Sequence, residues 1–156
     1  MSKSVTRVRE ALKQAGESGE ILEMQAETRT AAQAADAAGC GLDQIVKSIV
    51  FRGDRSGRLF LFLTAGGNQV CAAKASALAG EPLGKAEATQ IRTETGFAIG
   101  GVAPVGHLTP IRSFCDPRLH DFPLVWAAAG TPRHIFAITP ERLLAVSGAE
   151  RQDFTV

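Results

Sequence analysis

Val46-Lys47-Ser48-Ile49-Val50-Phe51-Arg52, Gly53-Asp54-Arg55-Ser56-Gly57 and Leu59-Phe60-Leu61-Phe62-Leu63-Thr64 follow one another with a single arginine between the last two segments. The first is rich in β-branched residues and reads as a strand. The second is a glycine-bounded turn, and the third is an unbroken apolar run. Two strands with so tight a connection read as a hairpin. The absence of alternation in the second strand places it centrally, buried on both faces. Side chains alternate across a strand, so Val46, Ser48 and Val50 share one face and Lys47, Ile49 and Phe51 the other. An ammonium therefore sits beside two large apolar side chains.

Outward from this hairpin, the chain alternates short helices and short strands. Val5, Val8, Leu12 and Ala15 form a helical stripe, with Ser2 or Ser4 as cap and Gly16 as stop. Ile21–Met24 reads as a short strand. Thr30-Ala31-Ala32-Gln33 has the form of a capping box ahead of an alanine-rich helix that Gly39 ends. Ala72–Leu78 and Ala88–Glu94 read as helices, stopped by Gly80 and Gly96. Leu124–Ala129 and His134–Ile138 read as strands joined by Gly130-Thr131-Pro132-Arg133. Thr139 caps a last helix, with Pro140 in its first position, that runs to about Val146. No regular βαβ alternation and no internal repeat is visible. The order predicts a single α+β domain, residues 1–156, with a mixed or antiparallel sheet.

Composition bounds the function. With 156 residues, 45% of them hydrophobic and 21% charged, the chain suits one folded domain and not a disordered one. A net charge of +1 shows no basic DNA-binding surface, although a few placed cations suffice to hold an RNA end. Cys40, Cys71 and Cys115 are far apart and odd in number, which argues against a disulfide scaffold or zinc knuckle and for a reducing cytoplasm. The charged N-terminal stretch does not read as a signal peptide, and no apolar run approaches the roughly 20 residues of a membrane span. The phosphate-loop, dinucleotide and serine-hydrolase glycine motifs are absent, and His107, His120 and His134 lack metal-ligand spacing. Neither metal nor cofactor is expected.

Two features remain. Lys47, on its apolar face, must either reach water at the strand end or meet an anion. Gly96-Phe97-Ala98-Ile99-Gly100-Gly101-Val102-Ala103-Pro104-Val105-Gly106-His107 is glycine-rich yet apolar. It is either a tight bend or a loop that brings main-chain N–H groups close to an oxyanion or phosphate. His107 after it is a candidate base or donor, or else a structural imidazole. Arg133 and His134 either touch an RNA phosphate or are solvated. Cys71 and Cys115 show no basic partner and read as core or surface residues.

Gln44-Ile45-Val46-Lys47-Ser48-Ile49-Val50-Phe51 resembles the QIVKS-x-[VI]-F stretch of the YbaK/prolyl-tRNA synthetase-associated domain family. Thr30–Ala35 resembles that family's T-A-x-x-A-A helix, and Gly100 to Pro104 its G-x-x-x-P loop. The Ala128-Ala129-Gly130 turn with the following strand and helix also fits. The matches run in order from about Ile21 to Val146. One departure is Val70-Cys71-Ala72-Ala73-Lys74, where the family often carries an aspartate near Cys71.

The resemblance implies a mixed, barrel-like sheet flanked by helices and hydrolysis of the ester in mischarged aminoacyl-tRNA. The implied substrate is often tRNA for proline carrying alanine or cysteine, with serine or threonine in some relatives. The implied partner is the 3′ acceptor end, with prolyl-tRNA synthetase a candidate second one. As the chain carries no synthetase modules, action in trans is expected. On this reading, N–H groups at Gly100, Gly101 and Val102 stabilise the oxyanion, and Lys47 binds a phosphate or the terminal ribose. His107 orients water, unless the substrate 2′-OH or a cysteinyl thiol drives the attack. Ile49, Phe51 and the loop to Pro104 set a size limit, and Gly130, Thr131 and Arg133 contact the substrate. The competing class is a module that binds the tRNA end, or an aminoacyl-adenylate, without hydrolysis.

Overall fold

Ser2 caps the first helix. Its Oγ accepts from the Val5 N–H at 3.1 Å, and α1 (Lys3–Gln14) buries Val5, Val8 and Leu12 completely or nearly so. In the computed structural model, which describes residues 2–28 and 30–156, α1 is followed by β1 (Leu22–Glu23) and α2 (Ala31–Ala38). Thr30 Oγ1 accepts from Gln33 N–H at 3.1 Å, and Gly39 ends α2 in a left-handed conformation. The small side chains of Ala34 and Ala35 let α2 lie directly on Ile45 and Trp126.

The hairpin forms as expected and defines the centre of the sheet. β2 (Ile45–Gly53) pairs antiparallel with β3 (Leu59–Ala65), with Lys47 opposite Thr64, Ile49 opposite Phe62 and Phe51 opposite Phe60. Every residue of β3 is buried. Leu59, Leu61, Leu63 and Ala65 face the larger core, which includes α1 and Phe136. Phe60 and Phe62 face a second cluster with Phe114 and Phe154. There Phe62 stacks on Phe114 at 5.1 Å and meets Phe154 edge-on at 5.0 Å. A strand buried on both sides has no polar face to show, hence its unbroken apolar sequence.

The remaining elements are α3 (Ala72–Ala79), β4 (Leu83–Lys85), α4 (Ala88–Thr95), β5 (Arg112–Cys115), β6 (Val125–Ala128), β7 (His134–Ile138), α5 (Pro140–Ser147) and β8 (Glu150–Arg151). A 3₁₀ turn at Leu42–Gln44 precedes β2, and another at Pro117–Asp121 follows β5. The sheet runs β1-β7-β6-β2-β3-β5-β8, with β4 beside the far end of β2. β2–β6, β3–β5 and β5–β8 are parallel and the other ladders antiparallel, so the sheet is mixed, as expected. No helix among the described residues is long and apolar enough to cross a membrane.

Candidate active site

β2 is shared unequally on the side away from β3. β6 pairs only with Ile45 and Val46, and β4 only with Phe51 to Gly53. Between them, Lys47 to Val50 has no ladder partner on that side among the described strands. An antiparallel ladder uses the main-chain groups of alternate residues, so the others on this segment face the opening. The opening is a cleft of about 230 Å³. Its walls include Ala31 and Ala34 of α2, Ala127 and Trp126 of β6, Gly100 and Val102, and the Thr131–Pro132 turn.

Lys47 lines this cleft and is half-buried. Its Nζ donates to the Asn68 carbonyl at 2.6 Å, leaving donors for a ligand. The turn carrying Asn68 is itself fixed. Asp116, almost wholly buried, accepts from Asn68 Nδ2 at 2.9 Å, from Ala65 N–H at 3.1 Å and from Arg118 N–H at 2.9 Å. Asp43 accepts from Gly67 N–H at 2.8 Å and from Arg118 Nε at 3.0 Å. Lys47, expected on an apolar face, is therefore aimed by a polar turn at the edge of that face. The only sign of Asp116 in the sequence is its position before Pro117, the pattern of a helix cap.

The glycine loop approaches the cleft from the other side. Gly100 has φ +91°, and a Cβ on Gly101 would lie 2.7 Å from Thr131 Cα and 2.8 Å from the Gly130 carbonyl oxygen. Only glycine lets the loop rest on the Gly130–Thr131 main chain. The expected trio of donors is reduced to two. The Gly101 N–H closes a turn onto the Ala98 carbonyl at 3.0 Å, whereas the N–H groups of Gly100 and Val102 have no protein acceptor among the described residues.

The structure brings Lys47, Ile49, Gly100, Val102 and Thr131 to one cleft. Other expectations are corrected. His107 lies outside the cleft lining. Its Nε2 donates to the Ala103 carbonyl at 2.7 Å, its ring meets Phe97 edge-on, and burial lowers its pKa, opposed by the Ala103 hydrogen bond and aided by Arg7. It holds the loop rather than a water in the cleft. Phe51 packs edge-on against Phe62 in the phenylalanine cluster, at the end of β2 that β4 covers. Pro104 is buried beyond the cleft. Gly130 packs against the main chain of Ser4, and Arg133 spends a guanidinium N–H on the Gln25 carbonyl at 2.7 Å. Neither lines the cleft.

Of the three histidines, His134 alone lines the cleft, with Nδ1 2.5 Å from Thr131 Oγ1 and Nε2 4.0 Å from Glu23. Thr28, Thr30 and Ser48 also line it, and the sequence marks none of them as a site residue, since single hydroxyls in turns and strands carry no functional pattern. Cys115 is fully buried, and burial together with Asp116 pushes its thiol up to about 12, which removes it as a nucleophile.

The family model for the aminoacyl-tRNA editing domain matches residues 25–146, which include both β2 and the glycine loop. The chain belongs to the aminoacyl-tRNA editing domain family. One solved structure, of a proposed trans-editing enzyme for prolyl tRNA synthetase, superposes with a TM-score of 0.93 at 46% identity, covering 100% of this chain and 99% of the other. The hypothetical protein APE2540 superposes at 0.87 with 28% identity, covering 96% and 99%. The uncharacterized protein YwhH of Bacillus subtilis (strain 168) is 28% identical over 140 residues, 90% of this chain and 88% of the relative. This editing domain thus shares its whole mixed-sheet fold with those structures.

Proposed function

We propose that the protein is a deacylase that hydrolyses the ester of mischarged aminoacyl-tRNA in trans, in the cytoplasm. The substrate is tRNA for proline carrying a small wrong amino acid: alanine, cysteine, serine or threonine. The observation that carries this reading is one cleft that gathers an ammonium, Lys47, and two loop residues, Gly100 and Val102, whose N–H groups have no acceptor among the described residues. The likeness to a proposed trans-editing enzyme for prolyl tRNA synthetase supports the choice of tRNA and makes that synthetase the candidate partner.

Ester hydrolysis adds a water oxygen to the acyl carbon, breaks the acyl–oxygen bond to the ribose, and passes a proton to the departing ribose oxygen. Charge develops on the former carbonyl oxygen. The Gly100 and Val102 N–H groups meet it there, and each such donor is worth about 10²–10³ in rate. Lys47 holds the phosphate or ribose of the terminal nucleotide and so sets the ester's register. The attacking water is oriented by the substrate 2′-OH, with His134 the imidazole nearest at hand. Ala31, Ala34, Ile49 and Trp126 bound the acyl pocket and restrict it to small side chains. Such a second pocket is needed because one methylene changes a synthetase's selectivity only ~10–200-fold.

The test is release of amino acid from tRNA for proline charged with each candidate, against prolyl-tRNA as control. Selective release of a small residue supports the reading. Binding of the charged tRNA with no release from any ester assigns the domain to tRNA-end binding instead.

A further inference from the structure

Arg7 does not line the cleft, yet it holds the glycine loop at both ends. Its Nη2 donates to the Gly96 carbonyl at 2.7 Å and its Nε to the Gly106 carbonyl at 2.8 Å. Gly96 opens the loop and Gly106 closes it, so one edge of a single guanidinium bridges the neck. The plane also lies over the Phe97 ring, 4.6 Å from its centroid. At Gly96 a Cβ would run into that guanidinium. Ser4 stands one helical turn before Arg7 on α1, and a Cβ on Gly130 would lie 2.9 Å from the Ser4 carbonyl carbon. The Gly130–Thr131 turn is the surface on which Gly101 rests. The loop and its seat are thus both referred to the first two turns of α1, a helix that precedes residues 25–146 matched by the family model.

Resting on the deacylase reading of the cleft, we infer that Arg7 is a positioning residue: by gripping Gly96 and Gly106 it sets the Gly100 N–H against that of Val102, so that both meet one oxyanion. Main-chain pairing closes only the stem below the loop, from Leu108 N–H to the Thr95 carbonyl at 3.2 Å and from Thr109 N–H to the Glu94 carbonyl at 2.8 Å. Burial of Val102, Ala103 and Val105 anchors the second half of the loop. Ile99 and Gly100 are exposed, so the first half depends on the grip at Gly96. Two donors in a rigid fork fix the two carbonyls relative to each other as well as holding them. A lysine there would offer a point charge without the fork or the plane over Phe97.

The experiment measures kcat and KM for deacylation, melting temperature and amide hydrogen exchange at Gly101 in wild type, Arg7→Met and Arg7→Lys. Arg7→Met is expected to lower kcat per folded molecule about a hundredfold, the cost of a misplacement near 1 Å or of one lost oxyanion donor. KM is expected to stay unchanged, because the oxyanion forms only in the transition state. Arg7→Lys keeps the charge and is expected to fall between the two. Gly101, whose N–H closes onto the Ala98 carbonyl at 3.0 Å, is expected to exchange faster in both variants. Where Arg7→Met does not fold, Arg7→Lys decides. Wild-type kcat in a folded variant, or a rise in KM alone, overturns the inference and reduces Arg7 to a structural contact. Hydrolysis of no ester by wild type sinks the deacylase reading instead. Gly101 exchange then still reads the hold of Arg7 on the loop, with faster exchange in the variants sustaining it and unchanged exchange refuting it.

Discussion

Replacing Gly101 by alanine tests the geometry of the loop without touching a charge. The added Cβ would stand 2.7 Å from Thr131 Cα, 2.8 Å from Thr131 N and 2.8 Å from the Gly130 carbonyl oxygen, all main-chain atoms that cannot swing aside. Ordinary contact begins at 3.4 Å, so the nearest pair is about 0.7 Å too close. The loop must lift off the Gly130–Thr131 turn by something near that distance, carrying Gly100 and Val102 with it. Overpacking of this kind costs about 1–3 kcal/mol of stability. A misplacement near 1 Å costs on the order of 10²-fold in rate. The expected phenotype is a folded protein with a melting temperature several degrees lower and kcat/KM for deacylation reduced about a hundredfold. Steady-state deacylation and calorimetry on the same preparation check both. Wild-type turnover by Gly101→Ala would refute the role of the loop's close approach.

Asp116→Ala strands three donors around Asn68, so unfolding free energy should fall by about 3 kcal/mol in a denaturant titration. Lys47, aimed by Asn68, should also lose its fixed position, seen as a drop in deacylation by the fraction still folded. His107 has a folded-state pKa below its unfolded value because it is buried, so its contribution is present above about 6.5 and is lost as pH falls through the folded value. His120 is shifted the same way, also mainly by burial. His107→Gln should therefore flatten, without abolishing, the loss of thermal stability between pH 7 and 5, and an unchanged slope would show that His107 is not the group responsible. Cys115, fully buried with its thiol near 12, should resist an aromatic disulfide reagent in the native protein and react on unfolding.

The parts of the fold legible in the sequence are those whose signals are local. Ser2, Thr30 and Thr139 cap helices where a side-chain oxygen precedes an apolar stripe, and the unbroken run Leu59–Thr64 announces burial on two faces. β5 and β8 were not legible. Arg112–Cys115 carries one large apolar side chain, Glu150–Arg151 none, and both join the sheet through parallel pairing across long connections. β4 is three residues with glycine at its middle. In the site, Lys47 stood out because a charge broke an apolar face, and Gly100 because glycines cluster. His107 misled because adjacency in sequence to the loop is not adjacency to the cleft: its ring turns back to Ala103. His134 and Asp116 matter through partners supplied by distant segments, and a lone residue of these types gives no advance sign.

The central claim is that Lys47 and the glycine loop make one ester-hydrolysing cleft. Its most direct test is a deacylation panel of alanyl, cysteinyl, seryl, threonyl and prolyl esters on tRNA for proline, with Lys47→Ala beside wild type. The account predicts release of a small amino acid by wild type, sparing of prolyl-tRNA, and loss of release in a folded Lys47→Ala protein. Full activity in Lys47→Ala, or release of nothing by wild type, would contradict it.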